Sequence, residues 1–349
     1  MQFETYLLEQ IQMHPSVQPR DIVKLCYQAA FGAEHLLQDW EKAKQYLQAE
    51  YETTAAEELP LYECISDEVC RVNLAAWKFH GLPVEWLFRM FAAAEKKEQR
   101  EALFLEYLQR AEQALPKLPV KFSMEEWQAY LLSYQKEGLH PVHHSPQYRA
   151  CEYPAYRILD RKWLRLFPLL KRIAEKLSQQ ERCIIAIDGR AASGKTTAAK
   201  QLQEILDAEI IQMDDFFLPP ALRTKERFAL PGGNVHYERV QEEVLPHLSS
   251  PKDFSYRIFS CSKMEYDGRR EIGSGKIRII EGSYSCHPVF GKYADITVFS
   301  DVLPEEQMRR IEKRNGKQMA EMFRDRWIPL EEAYFAAYPI AADADIRLD

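Results

Sequence analysis

The sequence predicts an α/β domain built on a five-stranded parallel sheet flanked by helices, preceded by an all-α helical domain. Strand-length apolar runs at 183–187, 209–213, 277–280 and 295–299, with a weaker fifth at 345–348, alternate with helical stretches at 195–206, 236–248, 304–314 and 318–337. Short apolar strands separated by helices are the pattern of a parallel sheet covered on both faces. Before about residue 160 the character changes, with apolar residues at helical spacing and few alternating with period two. Between the first strand and its helix lies a loop bounded by Gly189 and Gly194.

Bulk properties fit this division. A chain of 349 residues has room for two domains. The net charge of −7 gives no reason to expect nucleic acid or an anionic membrane surface as a partner. The sequence contains no run of about 18 apolar residues, so no membrane span is expected. Met1-Gln2-Phe3-Glu4-Thr5 does not open a signal peptide. Seven cysteines, odd in number and irregular in spacing, suit a reducing cytoplasm with thiols packed as small hydrophobes, and no zinc site is expected.

In the first domain, residues 1–160, Ile22, Leu25, Cys26, Ala29 and Ala30 share one helical face, as do Phe104, Tyr107, Leu108 and Ala111. Pro15, Pro19, Gly81, Pro83, Pro116 and Pro119 punctuate the stretches, which read as about six to eight helices in an irregular bundle. Residues 139–160 read as an ordered connector rich in Pro, His, Tyr and Arg. Its three histidines and Cys151 match no common zinc spacing and read as packing and surface residues. Tyr148, Arg149 and Arg157 are candidates to face an anionic ligand between the domains. The second domain, 161–349, opens with a helix over Trp163 to Leu177.

The strand 183–187 runs into Gly189-Arg190-Ala191-Ala192-Ser193-Gly194-Lys195-Thr196-Thr197, a Gly-x-x-x-x-Gly-Lys-Thr loop opening a helix. Such a loop binds phosphate. The two glycines let the backbone bend so that successive N–H groups, from Ala191 through Thr197, point inward as an anion nest. The helix start adds its positive end. Lys195 reaches the β and γ phosphates of a bound triphosphate, and the Thr196 hydroxyl is placed to ligate Mg²⁺.

Two acids follow at strand ends. Asp214-Asp215 ends the strand 209–213, expected beside the loop strand, and faces the phosphate site because such sheets bind ligands at that edge. One carboxylate there accepts a proton from an attacking hydroxyl or holds Mg²⁺ through water; alone, the pair reads equally as a turn or helix cap. Glu281 follows the strand 277–280, the place of a metal-supporting acid, with Gly282 keeping the backbone near the phosphates. Further on, Arg309, Arg310, Lys313 and Arg314 crowd one helix. They read either as a solvated face or as a lid that closes guanidinium groups over a transferring phosphoryl.

Residues from about 180 to 349 resemble the uridine kinase and nicotinamide riboside kinase group of phosphate-loop kinases. Four segments carry the likeness: the loop 189–197, Gln212-Met213-Asp214-Asp215-Phe216-Phe217-Leu218-Pro219, Ile279-Ile280-Glu281-Gly282, and the arginine-rich helix 309–314. The resemblance implies a catalytic base at Asp214 and metal support from Thr196, Asp214 and Glu281. It implies lid arginines among Arg309, Arg310 and Arg314, and ATP or GTP with Mg²⁺ as cofactors. It places acceptor-binding candidates at Asp215, His236, Tyr256, Arg257 and Arg309. Where the family has an Asn-Phe-Asp segment this chain has Asn234-Val235-His236, so His236 stands in place of the acid.

The expected activity is phosphoryl transfer to a hydroxyl of a small molecule, a nucleoside or riboside. Asp214 would be the base, with Lys195, Arg310 and Arg314 stabilising the phosphoryl group. The alternative is a nucleotide-dependent switch or ATPase, with water as acceptor and the helical half as effector. The helical half itself reads as an interaction module, a homodimer surface or part of the site.

Overall fold

The computed structural model describes residues 3–33, 39–94 and 99–348. The chain divides into two compact units, Met1–Leu164 and Arg165–Asp349.

In the first unit the helical periodicity is answered by α1 (Phe3–Met13), α2 (Pro19–Phe31), α3 (Trp40–Thr53), α4 (Leu74–Phe79), α5 (Val84–Ala92), α6 (Glu101–Ala114), α7 (Met124–Lys136) and α8 (Pro146–Glu152). Prolines open several of them, as their fixed φ allows; Pro19 and Pro146 stand in first turns. The expectation of helices alone is corrected by a small antiparallel sheet, β1 (Tyr62–Cys64), β2 (Val69–Asn73) and β3 (Tyr156–Asp160), in that order. β2 pairs with β3 from Val69↔Asp160 to Asn73↔Tyr156. The expected connector 139–160 therefore holds α8 and β3.

A buried polar network fixes this unit's interior. Asp21 accepts hydrogen bonds from the Ser145 amide and hydroxyl and contacts His144 Nδ1 at 2.9 Å. His144 Nε2 meets the Tyr156 hydroxyl at 2.6 Å, and burial pushes the imidazole pKa down to about 4. Arg71 donates to Tyr6, Gln10 and Gln28 and stacks over the Tyr156 ring. Of the connector residues, Tyr148 is buried and stacked on His144, and Arg157 pairs with Glu50 at 2.6 Å.

The second unit begins with Arg165 and α9 (Phe167–Gln179). Next come β4 (Cys183–Gly189), buried along its whole length, α10 (Lys195–Leu206) and β5 (Glu209–Gln212). α11 (Lys225–Phe228), α12 (Tyr237–Glu243), β6 (Phe254–Ser260), β7 (Glu265–Ile272), β8 (Ile277–Glu281) and β9 (Ile296–Ser300) follow. α13 (Pro304–Asn315), α14 (Lys317–Met322), α15 (Ile328–Ala337), α16 (Ile340–Asp343) and β10 (Ile346–Leu348) complete it. Five strands make one parallel sheet in the order β10-β9-β4-β8-β5.

The loop strand is central. β8 lies between it and β5, so Asp214 sits two strands away and not on the neighbouring one. The helix expected over 236–248 stops at Glu243 and passes into a 3-10 turn, Leu245–His247, because Pro246 has no N–H to continue it. The stretch 318–337 is helical but opens into a π-turn at Phe323–Trp327, just before Pro329 removes a donor from the ladder. The antiparallel hairpin β6–β7 was not expected. No described helix is long and apolar enough to cross a membrane.

Candidate active site

The backbone of the loop after β4 is set by its two glycines. Gly189 has φ +139°, and a Cβ there would lie 2.0 Å from the Ser300 carbonyl oxygen at the end of β9. Only glycine lets the two strand ends approach this closely. Gly194 has φ +106° and caps α10. Between them Ala192 also takes a positive φ of 57°. Successive αR and αL residues are the backbone form of an anion nest.

Asp188, fully buried at the end of β4, braces this turn. It accepts from the amides of Gly189, Tyr284 and Cys286 and from the Tyr334 hydroxyl, all within 3.0 Å. Burial raises its pKa against those donors. Lys195 folds back over the loop and donates to the carbonyls of Gly189 and Arg190 at 2.7 Å each.

A cavity of about 780 Å³ opens over this loop, within the second unit. Its phosphate end is lined by Ala191, Ala192, Gly194, Lys195, Thr196 and Thr197. Ser193 and Gly189 are not among the lining residues; the Ser193 carbonyl instead accepts from Ser300 and Arg310. Besides Lys195, the cations Arg165, Arg223, Arg310 and Arg314 line the cavity. Arg310 donates to the Ala192 carbonyl at 3.2 Å and pairs with Glu306, which brings α13 against the loop.

Asp214, Glu281 and Glu331 also line the cavity. Thr196 donates to Glu281 at 3.2 Å, so the hydroxyl and carboxylate proposed for metal support do meet. Glu281 is buried, and burial followed by the charge of Asp214 raises its pKa. Asp214 makes no hydrogen bond among the described residues. It is exposed because it faces the cavity, yet protein encloses its other sides. That enclosure is the main cause of its raised pKa; Asp215 adds to the shift, while Lys195 and Arg314 oppose it.

Gly282 lines the cavity, but its missing side chain has a second use. A Cβ there would lie 2.7 Å from that of Met213, so glycine lets the ends of β8 and β5 approach. The oxygens of Thr196, Glu281 and Asp214 are hard donors that suit Mg²⁺, which takes one or two carboxylates and completes its shell with phosphates and water. No group of three His, Cys, Asp or Glu side chains able to hold a metal occurs among the described residues.

The other end of the cavity is largely aromatic and thioether, with Phe217, Phe228, Phe323, Trp327, Met319 and Met322. Asn234 also lines the cavity. It is 4% exposed, and its Oδ1 has no hydrogen-bond partner.

None of the five expected acceptor-binding side chains lines the cavity. Tyr256 is fully buried and donates to Asp215 at 2.9 Å while accepting from the Gln212 amide. Asp215 is buried in an ion pair with Arg270. Arg257 pairs with Glu243 from outside, His236 is held by Glu238, and Arg309 is bound to Glu306. Their places in sequence were close to the site, but polar partners, buried for Tyr256 and Asp215 and at the surface for Arg257 and Arg309, hold them away from it.

Among the polar lining residues that the sequence did not single out are Arg165, Arg223 and Glu331, and Asn234 entered only as a neighbour of His236. Glu331 is buried on α15 and accepts from the Ala191 amide at 2.9 Å and the Ser283 hydroxyl at 2.6 Å. Burial raises its pKa. Arg165, Arg223 and Glu331 stand in no motif; Asn234 matches the Asn of the family's Asn-Phe-Asp segment, two residues before His236.

Parallel strand order, the central loop strand and the glycine-bounded loop together give a phosphate-loop α/β fold. No family model and no curated protein matches the chain. Among solved structures, a protein described as a possible uridine kinase from Bacillus stearothermophilus matches at 20% identity and TM-score 0.40, covering 52% of this chain and 100% of its own. A candidate kinase of a fructose transport system from Silicibacter sp. TM1040 matches at 21% identity and TM-score 0.42, covering 52% of this chain and 98% of its own.

Proposed function

We propose that the second unit transfers the γ-phosphoryl group of ATP or GTP to a hydroxyl of a small molecule, with a nucleoside or riboside as the acceptor class. One observation carries the reading: the unpartnered Asp214 carboxylate faces the same cavity as the phosphate loop. A carboxylate without donors keeps its lone pairs for the proton of an attacking hydroxyl.

The residues divide the work. Main-chain amides of the loop hold the polyphosphate, and Lys195 lies within the loop's curve. Arg310 and Arg314 stabilise charge on the transferring group. Asp214 takes the hydroxyl proton as the acceptor oxygen attacks in line. Mg²⁺, held by Thr196 and Glu281 with Asp214 in reach, would neutralise charge on the phosphates. The protein contributes positioning and electrostatics more than covalent chemistry.

The aromatic and thioether walls of the cavity suit an organic molecule with a flat or apolar face. Water, the acceptor of a hydrolase or switch, has no use for such walls. Screening nucleosides, ribosides, vitamins and sugars for ADP formation by the purified chain tests the reading. Acceptor-dependent ADP release from at least one of these classes is expected. ADP release unaffected by any of them would refute it.

A further inference from the structure

Arg165 is a cation without an anion at the nucleotide end of the cavity. It lies in the 3-10 stretch Arg161–Leu166 that leads into α9, with Leu166 and Phe167 beside it buried. Its Nη2 donates to Gln201 Oε1 on α10 at 2.9 Å. Its Nη1 comes within 3.5 Å of where a side chain on Gly194 would begin. The guanidinium therefore stands over the second glycine of the loop, and it lines the cavity together with Arg310.

No carboxylate among the described residues lies within ion-pair distance of Arg165, and Gln201 orients it without neutralising it. Burial, and then the nearby charge of Arg310, lowers its pKa. Two guanidinium groups held close in a partly dry pocket repel each other. An oxyanion between them turns that repulsion into charge-assisted hydrogen bonds. The planar fork of arginine suits a phosphate for the same reason.

We propose that Arg165 is a nucleotide-binding residue that pairs with Arg310 on the phosphates. It comes from a segment outside the strand–loop–helix unit that carries the motif. This rests on the reading that the loop takes a polyphosphate, and it adds a contact no motif supplies.

Calorimetric titration of the full-length chain tests it, with MgADP and magnesium tripolyphosphate as probes and Arg165→Ala and Arg165→Lys as variants. Arg165→Ala is expected to weaken both probes roughly ten- to hundredfold, the range of a lost charged hydrogen bond. It should also make MgADP binding less sensitive to ionic strength, which a merely structural role would not do. Arg165→Lys keeps charge and bulk, so it reports even if the alanine variant unfolds, and should fall between. Unchanged MgADP affinity in both variants, with a wild-type chain that binds, would overturn the proposal alone. So would a loss for MgADP with none for tripolyphosphate, which would put Arg165 on the base. A wild-type chain that binds neither probe would remove the nucleotide reading and this proposal with it.

Discussion

Replacing Asp214 with Asn separates chemistry from binding. Asn keeps the shape, and no hydrogen bond is lost because Asp214 makes none among the described residues. What disappears is a charge and a proton acceptor. Loss of a general base lowers turnover about 10²–10⁴-fold, or roughly 3–5 kcal/mol of barrier. Binding of MgATP should change little, since the lost carboxylate repels the phosphates but also lies in reach of the metal, which Thr196 and Glu281 would still hold.

The pH dependence gives a second readout. Burial raises the Asp214 pKa in the fold. The base works only when ionised, so the acid limb of kcat should lie above the usual aspartate value of about 3.9, and the variant should lack it. For stability the sign is reversed. A raised folded pKa means that protonation favours the fold, and this contribution fades as pH rises through the folded value. Asp214→Asn should therefore be more stable than wild type at neutral pH, with the gap closing in acid. Stopped-flow turnover and urea melts at several pH values measure both effects. Near wild-type kcat with an unchanged acid limb would refute the base assignment.

Gly189→Ala puts a methyl 2.0 Å from the Ser300 carbonyl, where neither strand end can yield; overpacking of this kind costs about 1–3 kcal/mol or more, and urea unfolding should show a loss at the top of that range together with loss of nucleotide binding. Thr196→Ala removes the hydroxyl that meets Glu281, and a Mg²⁺ titration of activity should shift its midpoint upward by roughly tenfold, as for other losses around a metal site. Tyr256→Phe removes two buried hydrogen bonds and should cost about 1–3 kcal/mol in a urea melt while leaving acceptor KM unchanged; a raised KM with unchanged stability would return Tyr256 to the acceptor site.

What could be read from residues was the part with local signals. The run Cys183–Ile187 is apolar along its length, the loop has fixed spacing, and each acid stands at the end of its own short strand. Those features depend on neighbours in sequence. The antiparallel sheet of the first unit does not: β2 is five residues long and pairs with β3 some 85 positions later, so neither strand has a nearby partner. The β6–β7 hairpin was hidden because β7, Glu265–Ile272, is polar and mostly exposed.

The acceptor candidates Tyr256 and Arg257 do not line the cavity, for a related reason. Tyr256 and Arg257 fall where the family likeness suggested, but their direction is set by Asp215 and Glu243, which come from other elements. The lining of Arg165, Asn234 and Glu331 arises from three separate segments, brought together only by folding.

A single-turnover reaction with γ-labelled ATP, enzyme in excess and a pooled set of nucleosides and ribosides tests the kinase reading most directly. The label should appear on an organic hydroxyl, at a rate that collapses in Asp214→Asn. Label released only as inorganic phosphate, at a rate indifferent to the pool, would contradict it.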